Sequence, residues 1–363
     1  MSTSNWQLFR FALIYFSSQS TIFLIPFILS SSGYQGWIAL IGGTLLSMLI
    51  LIFTIQVGKL KPEQGWIDFG RDIMGVWVHR LLVFFILCWC IYFASFDIEN
   101  FVLFFGSNYM RGTSPIYIQI VIGLVIMYTA SLGITTIIYM ADGIFLIFVV
   151  AVLFAVYSFF PNADFSMLPA FLHYHDPGIA LRDSVSVSSW FAEWLVFLFL
   201  APELKIGNKM LKKLMAAAVF ILFIVLAGWT MTMLNFGPHF GTQLQYPLLE
   251  MIRGSSHNSI LGNLDPILIG IWSASMFIHG SVLIYVACKC TLYLTNWKKT
   301  KAIVPILTLC SITIAYLYSR DIANYLRDFT SYLIMYTWLF IECIPVYYFI
   351  AAYIRSKFGR AVK

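Results

Sequence analysis

Residues 184–202 read SVSVSSWFAEWLVFLFLAP. After its serines the stretch is an apolar run of the length that crosses a bilayer. Glu193 interrupts it, with no basic residue within several positions on either side. An acid at the bilayer centre costs about 2.5–3.5 kcal/mol on insertion scales. One kept there faces a cavity or a partner rather than lipid. Glu193 lies about nine residues from one end of the run, or ~14 Å at the helical rise, which places it near the midplane.

The rest of the chain supports a membrane setting. Its 363 residues are 60% hydrophobic and 10% charged, with a mean hydropathy of +0.85. A soluble domain carries about 25% charged residues. The composition implies an all-α polytopic membrane protein with no long polar stretch able to fold as a soluble domain. The first apolar stretch, Leu8 to Leu29, is too long for a signal-peptide core and should remain as a span. The six cysteines sit within or at the ends of apolar runs and read as buried small hydrophobes, since Cys-x-Cys on a helix points the thiols apart. No P-loop, HExxH or GxGxxG motif is present, so the sequence offers no enzyme chemistry, cofactor, metal site or nucleic-acid partner.

Ten spans are expected, near 8–29, 36–57, 80–106, 116–132, 138–160, 184–203, 214–235, 264–290, 302–318 and 328–354. The division between the fourth and fifth, at LGITTI, is the weakest. Lys and Arg test the count. With both termini cytoplasmic, only Arg111, Arg182, Arg253, Arg320 and Arg327 of the 22 basic residues fall outside. Every lysine is inside, and the basic run ELKIGNKMLKK at 203–213 meets the cytoplasmic face, where it also suits anionic lipid.

Ten spans divide into five plus five, and an odd half makes the second repeat inverted. Repeat one covers about 8–160 and repeat two about 184–355, within a single domain spanning 1–363. In such architectures the first helix of each half is broken near the midplane, and ligand sits between the breaks. Here the two helices read YFSSQSTIFLIP and SSWFAEWLVFLFLAP, each with polar residues before an apolar run closed by proline. Aligning Pro26 with Pro202 sets Ser17 opposite Glu193. Ser17, Ser18, Gln19 and Ser20 are therefore candidates to serve the freed backbone or a ligand. The alternative for the serines is bonding to the preceding turn of an intact helix.

Several stretches carry a family resemblance: GWIAL at 36–40, YFASFDIENFVLFF at 92–105, FAEWLVFLFLAPEL at 191–204, YPLLEMIR at 246–253 and LDPILIGIW at 264–272. In this order they make the chain resemble the B subunit of bacterial spore germinant receptors, endospore germination permeases of the amino acid–polyamine–organocation group. The resemblance spans nearly the full length. It implies a leucine-transporter-like fold and a role in sensing a small germinant, such as an amino acid, in the spore inner membrane. It also implies an A subunit and a lipoprotein C subunit as partners. Members often carry glycines at the first-helix break, where this chain has SSQST at 17–21.

Within that fold Glu193 is the leading ligand or ion contact, with Trp190 and Phe191 beside it. Structural bracing of the broken helix is its alternative role. The third helix borders the site, which makes Tyr92, Ser95 and Asp97 ligand candidates. Glu99 is two residues from Asp97 and points to another face. Glu342 and His279 lie mid-span and are candidates for an ion or proton, whereas Asp142, near the inner end of the fifth span, can reach water. His173, His175, His239 and His257 lie in outer segments expected to form short helices. The expected function is the permease-like germinant-receptor subunit, possible ion passage included. The alternative is an ion-coupled secondary transporter of amino acids or amines, on the same scaffold.

Overall fold

The computed structural model describes residues 4–173, 175–201, 206–256, 265–297 and 300–357. Pro202, His257 and the basic residues Lys205, Lys298, Lys299, Arg360 and Lys363 lie outside the described residues. Among the described residues the ordered elements are all helical. The first expected span is split into α1 (Asn5–Ser20) and α2 (Leu24–Ser32). Then follow α3 (Gly36–Gly58), the short α4 (Trp66–Met74), α5 (Val76–Asn108), α6 (Pro115–Ser131) and α7 (Ile134–Phe159). The second half begins with α8 (Pro177–Phe191), continued by a 3-10 helix over Glu193–Leu200. After it come α9 (Asn208–Gly241), the short α10 (Pro247–Ser256), α11 (Asp265–Thr295), α12 (Thr300–Ser319) and the short α13 (Ile322–Phe329). A last pass is split into α14 (Tyr332–Glu342) and α15 (Ile344–Lys357).

Each expected span has a helical counterpart, but eight segments among the described residues, not ten, are long and apolar enough to cross a membrane unaided. Two local features account for the difference. The break after Ser20 leaves α1 only 16 residues long and joins α2 to α3 as one segment, Leu24–Gly58. The fourth, α6, has 17 residues. The doubtful division at 132–133 is real. Gly133 adopts φ +83°, a left-handed conformation open chiefly to glycine, and α7 starts after it.

Local sequence sets the ends of these helices. Ser4 and Gln7 form a reciprocal capping box at the start of α1. Asp176 caps α8, with Pro177 in its first turn. Burial then sorts the helices into layers. In Pro177–Leu200, 94% of the apolar window is buried, against 17% in Ile134–Asn162. The span carrying Glu193 is thus central, and α7 is a peripheral, lipid-facing helix.

Packing partners obey a simple exchange rule. If each pass in the first half is swapped with its counterpart five passes later, many observed contacts map onto observed contacts, although α1–α11 does not. The pair α3–α8 maps onto α9–α1, α5–α12 onto α11–α6, and α14–α8 onto α7–α1. The short helices follow the same rule. Helix α4 packs on α5 and α15, and α10 packs on α11 and α7. Two halves related by a two-fold axis in the membrane plane produce this pattern.

Both central helices are interrupted at their middles. Thr21, Ile22 and Phe23 form a turn between α1 and α2, and Ala192 separates α8 from the 3-10 segment at φ −98°, ψ 6°. Backbone groups freed inside an apolar bundle need partners. The Ser18 carbonyl accepts from the Trp272 indole N–H at 2.9 Å. The Phe191 carbonyl accepts from the Ser47 hydroxyl of α3, whose oxygen in turn accepts from the Trp194 indole at 2.7 Å. Ser47 therefore pins both sides of the second break. Ser47→Ala should orphan a buried carbonyl and a buried indole N–H, lowering stability by about 1–3 kcal/mol. Thermal unfolding in detergent checks this. A double-mutant cycle with Trp194→Phe should show coupling, and additive effects would remove Ser47 from this role.

Candidate functional site

Four segments converge at the two breaks and bring five buried polar side chains together. On α1, Tyr15 and Gln19 are one turn apart and share a face. The Tyr15 hydroxyl donates to Glu193 Oε2, and Gln19 Nε2 donates to Asp97 Oδ1 at 2.6 Å. Between the two acids stands His279 of α11. Its Nδ1 is 2.7 Å from Asp97 Oδ2, and its Nε2 is 3.0 Å from Glu193 Oε2. The result is one chain, Tyr15–Glu193–His279–Asp97–Gln19, contributed by α1, the second break, α11 and α5. None of the five is more than 4% exposed. The Tyr15 ring also lies 4.6 Å from the imidazole, centre to centre.

Hydrogen-bond chemistry sets the least number of protons this chain holds, and its charge follows for that state. Each ring nitrogen of His279 faces a carboxylate oxygen, so each contact needs one proton. A neutral imidazole supplies one. The second is either on the imidazole or on one of the acids. Both arrangements leave the trio of Asp97, Glu193 and His279 with a net charge of −1. The trio is therefore short of one positive charge in a water-poor interior. Beside it, Gln19 Oε1 is buried and accepts no hydrogen bond. Its orientation follows chemically, because only the amide nitrogen can donate to Asp97.

The other candidates are placed differently. Ser17, Ser18 and Ser20 donate to the carbonyls of Ile14, Tyr15 and Phe16, the bonding expected of an intact helix, although the helix does break just after them. Trp190 packs edge-on against Phe329, and its indole N–H has no partner. Phe191 contributes its carbonyl to the second break. Tyr92 points to α12, where its hydroxyl meets that of Tyr318 at 2.6 Å, and Ser95 donates to the Tyr92 carbonyl. Neither bonds to the chain of five. Glu99 belongs to a separate cluster with Gln119 and Ser319. Glu342, at the end of α14, is fully buried, and neither carboxyl oxygen has a hydrogen-bond partner. Of the cysteines, Cys88 and Cys310 are exposed on the bundle surface, which corrects the expectation that all six are buried. They lie on helices with lipid-length apolar faces.

Polar contacts join helices at both ends of the bundle. At the lysine-rich end, Asp142 of α7 takes hydrogen bonds from Arg10 and Gln7 of α1, and Lys213 of α9 lies over the Trp6 ring. At the opposite end, buried Asp183 of α8 accepts from Ser32 of α2 at 2.6 Å, Tyr332 of α14 at 3.0 Å and Arg182 at 2.9 Å. The Arg182 guanidinium also covers the Tyr332 ring at 4.6 Å. This clasp ties together α2, α8 and the last pass, joining parts of both broken helices. Sequence reasoning missed Tyr15, Ser47 and the Asp183 clasp. Tyr15 lies near the end of the apolar run FALIYF at 11–16 and reads there as a packing residue, although its position four before Gln19 was a usable signal.

Comparison with known proteins bears on the family and the fold. A family model described as spore germination protein (spore permease) matches residues 4–324. Spore germination protein XB of Bacillus anthracis is 25% identical over 324 residues, 87% of this chain and 89% of that protein. Among solved structures, the substrate-bound outward-open state of a Na+-coupled sialic acid symporter superposes with a TM-score of 0.70 at 12% identity, covering 98% of this chain and 90% of that one. MhsT in complex with L-phenylalanine gives a TM-score of 0.55 at 15% identity, covering 86% and 79%. These structures share the leucine-transporter-like fold, and this chain has it too.

The clasp makes its own prediction. Ser32→Ala and Tyr332→Phe each remove a hydrogen bond to a charged acceptor, worth about 1.5–3 kcal/mol. Amide hydrogens of α2 should then exchange about tenfold faster or more, while those of α5 are unchanged. Unaltered exchange in α2 would show that the clasp does not hold it.

Proposed function

The chain belongs to the spore germination protein family, and we propose that it is the permease-like subunit of a germinant receptor, sensing a small amine-bearing germinant such as an amino acid. The observation that carries this is the central chain of five, with a net charge of −1 beside the orphaned Gln19 carbonyl. An ammonium group supplies both missing elements, a positive charge and N–H donors. Asp97, Glu193 and Gln19 would contact that group, with Tyr15 and His279 re-partnered around it. Trp190 and Phe191 lie next to Glu193 in sequence and would contact the rest of the molecule. Ser17, Ser18 and Ser20 bond within α1 just before its break and would not contact the ammonium group.

A ligand entering here must break bonds that now join α1, α5, α11 and the second break. Occupancy is thereby converted into helix movement, which is the differential interaction a sensor requires. Glu342, buried without a partner, is the acid placed to hold a proton when the last pass moves. The repeats about 8–160 and 184–355 would move against each other. The family setting supports a spore inner-membrane location, cytoplasmic termini, and A-type and lipoprotein C-type subunits as the receivers of the change.

Glu193→Gln keeps the shape and removes the charge. The protein should still accumulate in the membrane, while the rise in melting temperature given by an amino-acid panel on the assembled complex disappears. An unchanged response at unchanged ligand concentration would sink the assignment. Proteoliposomes holding the chain alone separate sensing from transport. Concentrative, ion-coupled uptake of the same amino acid would establish a secondary transporter instead.

A further inference from the structure

We propose that Phe329, on the short helix α13, limits the size of the germinant side chain by roofing the central chain of five. Given the amine-binding centre proposed above, on which this rests, the ligand class narrows to small α-amino acids, of glycine or alanine size. Larger aliphatic and aromatic ones are excluded.

Three buried rings form a layer over the chain on the side of the Asp183 clasp. Phe23 lies one turn beyond Gln19, and its backbone N–H still donates to the Gln19 carbonyl at 3.0 Å. Trp190 lies three residues before Glu193, on the α8 side of the second break. Phe329 stands between these two, 5.7 Å from Phe23 and 5.3 Å from Trp190, centre to centre. It also meets Phe96, the residue before Asp97, at 5.4 Å. Aromatic rings at such separations are in contact. Phe329 therefore touches a near neighbour of each residue expected to hold the ammonium group: Gln19, Glu193 and Asp97. A germinant held there by its amine meets this layer in the direction of the clasp.

The rings differ in how they are held. Phe23 and Trp190 belong to the two broken passes. Trp272, which flanks Phe23 at 6.0 Å, is tied through its indole to the Ser18 carbonyl. Phe329 belongs to an eight-residue helix whose buried side chains are Tyr325 and itself. Tyr325 anchors that helix by donating to Asn100 Oδ1 at 2.6 Å, while Ile322 and Leu326 are exposed. Three residues after Phe329, Tyr332 enters the Asp183 clasp. The stretch 329–332 thus closes the aromatic layer and the clasp together. A small side chain fits under the ring after a slight shift, whereas a large one needs the space that the ring fills. One methylene too many in a tight apolar pocket costs about 10–200-fold in discrimination.

The test measures half-saturating concentrations of glycine, L-alanine, L-leucine and L-phenylalanine from the rise in melting temperature of the assembled complex. In the wild type they should increase in that order. Phe329→Ala should lower the leucine-to-alanine ratio about tenfold or more. Phe329→Leu keeps an apolar plug, guards against loss of folding, and should lower the ratio less. Tyr325→Phe loosens α13 without opening the roof and should move all four concentrations by one common factor. If both Phe329 variants leave the ratio unchanged while Glu193→Gln still abolishes every response, the roof is overturned and the amine-binding reading stands. A wild type that prefers leucine or phenylalanine overturns it as well. If none of the four stabilises the wild type, the amine-binding reading falls and takes this one with it.

Discussion

One imidazole shared by two carboxylates holds the centre of this molecule. Asp97 and Glu193 come from different helices and would repel each other in an apolar interior if His279 were not between them. Removing one member of such a buried pair leaves an uncompensated charge and costs about 3–5 kcal/mol. The arrangement therefore specifies which helices meet and in which register, because a rotation of α11 by one residue would carry His279 away from both acids. Gly280, next in sequence, permits the close approach. A Cβ there would sit 3.2 Å from Asp97 Oδ2 and 2.9 Å from Ile126.

The two helix breaks obey the same constraint. Irregular backbone survives at membrane depth only where protein or water satisfies it. Here the partners are specific: the Trp272 indole at the first break and Ser47 with Trp194 at the second. The breaks and the charged chain lie together because the bundle interior is the one place where both kinds of polar group can be answered by neighbours. The pseudo-two-fold exchange of contacts brings the breaks to the same depth and makes this economical, since each break is buried by the other half.

Much of this was legible in the sequence, and the reasons are particular. Glu193 stood out because the run around it has no other charge, and Gln19, Asp97 and His279 because polar groups are rare in such helices. Inversion followed from an odd number of passes in each half. The pairings were not legible, because Asp97 and His279 are 182 residues apart and nothing local records which faces meet. Tyr92 shows the converse. Lying five residues before Asp97, it falls on the opposite side of α5 and meets Tyr318 instead. The count of ten was an inference from hydropathy that breaks and short helices blur, since a split pass is too short to qualify alone.

Polar contacts at both ends bear on what the central charge can do. The Asp142 contacts hold the start of α1, and the Asp183 clasp holds α2 and α8 together at the far end. Opening the far end requires the Asp183 clasp to separate, and that clasp shares α2 and α8 with the breaks. Under the proposed function, a positive charge arriving at the trio would loosen the hold of His279 on Glu193, which follows directly on the end of α8. The same covalent chain thus links the charge at the midplane to the clasp at the surface. The coupling needs no long pathway. It needs only that Glu193 cannot satisfy His279 and a ligand ammonium in one geometry.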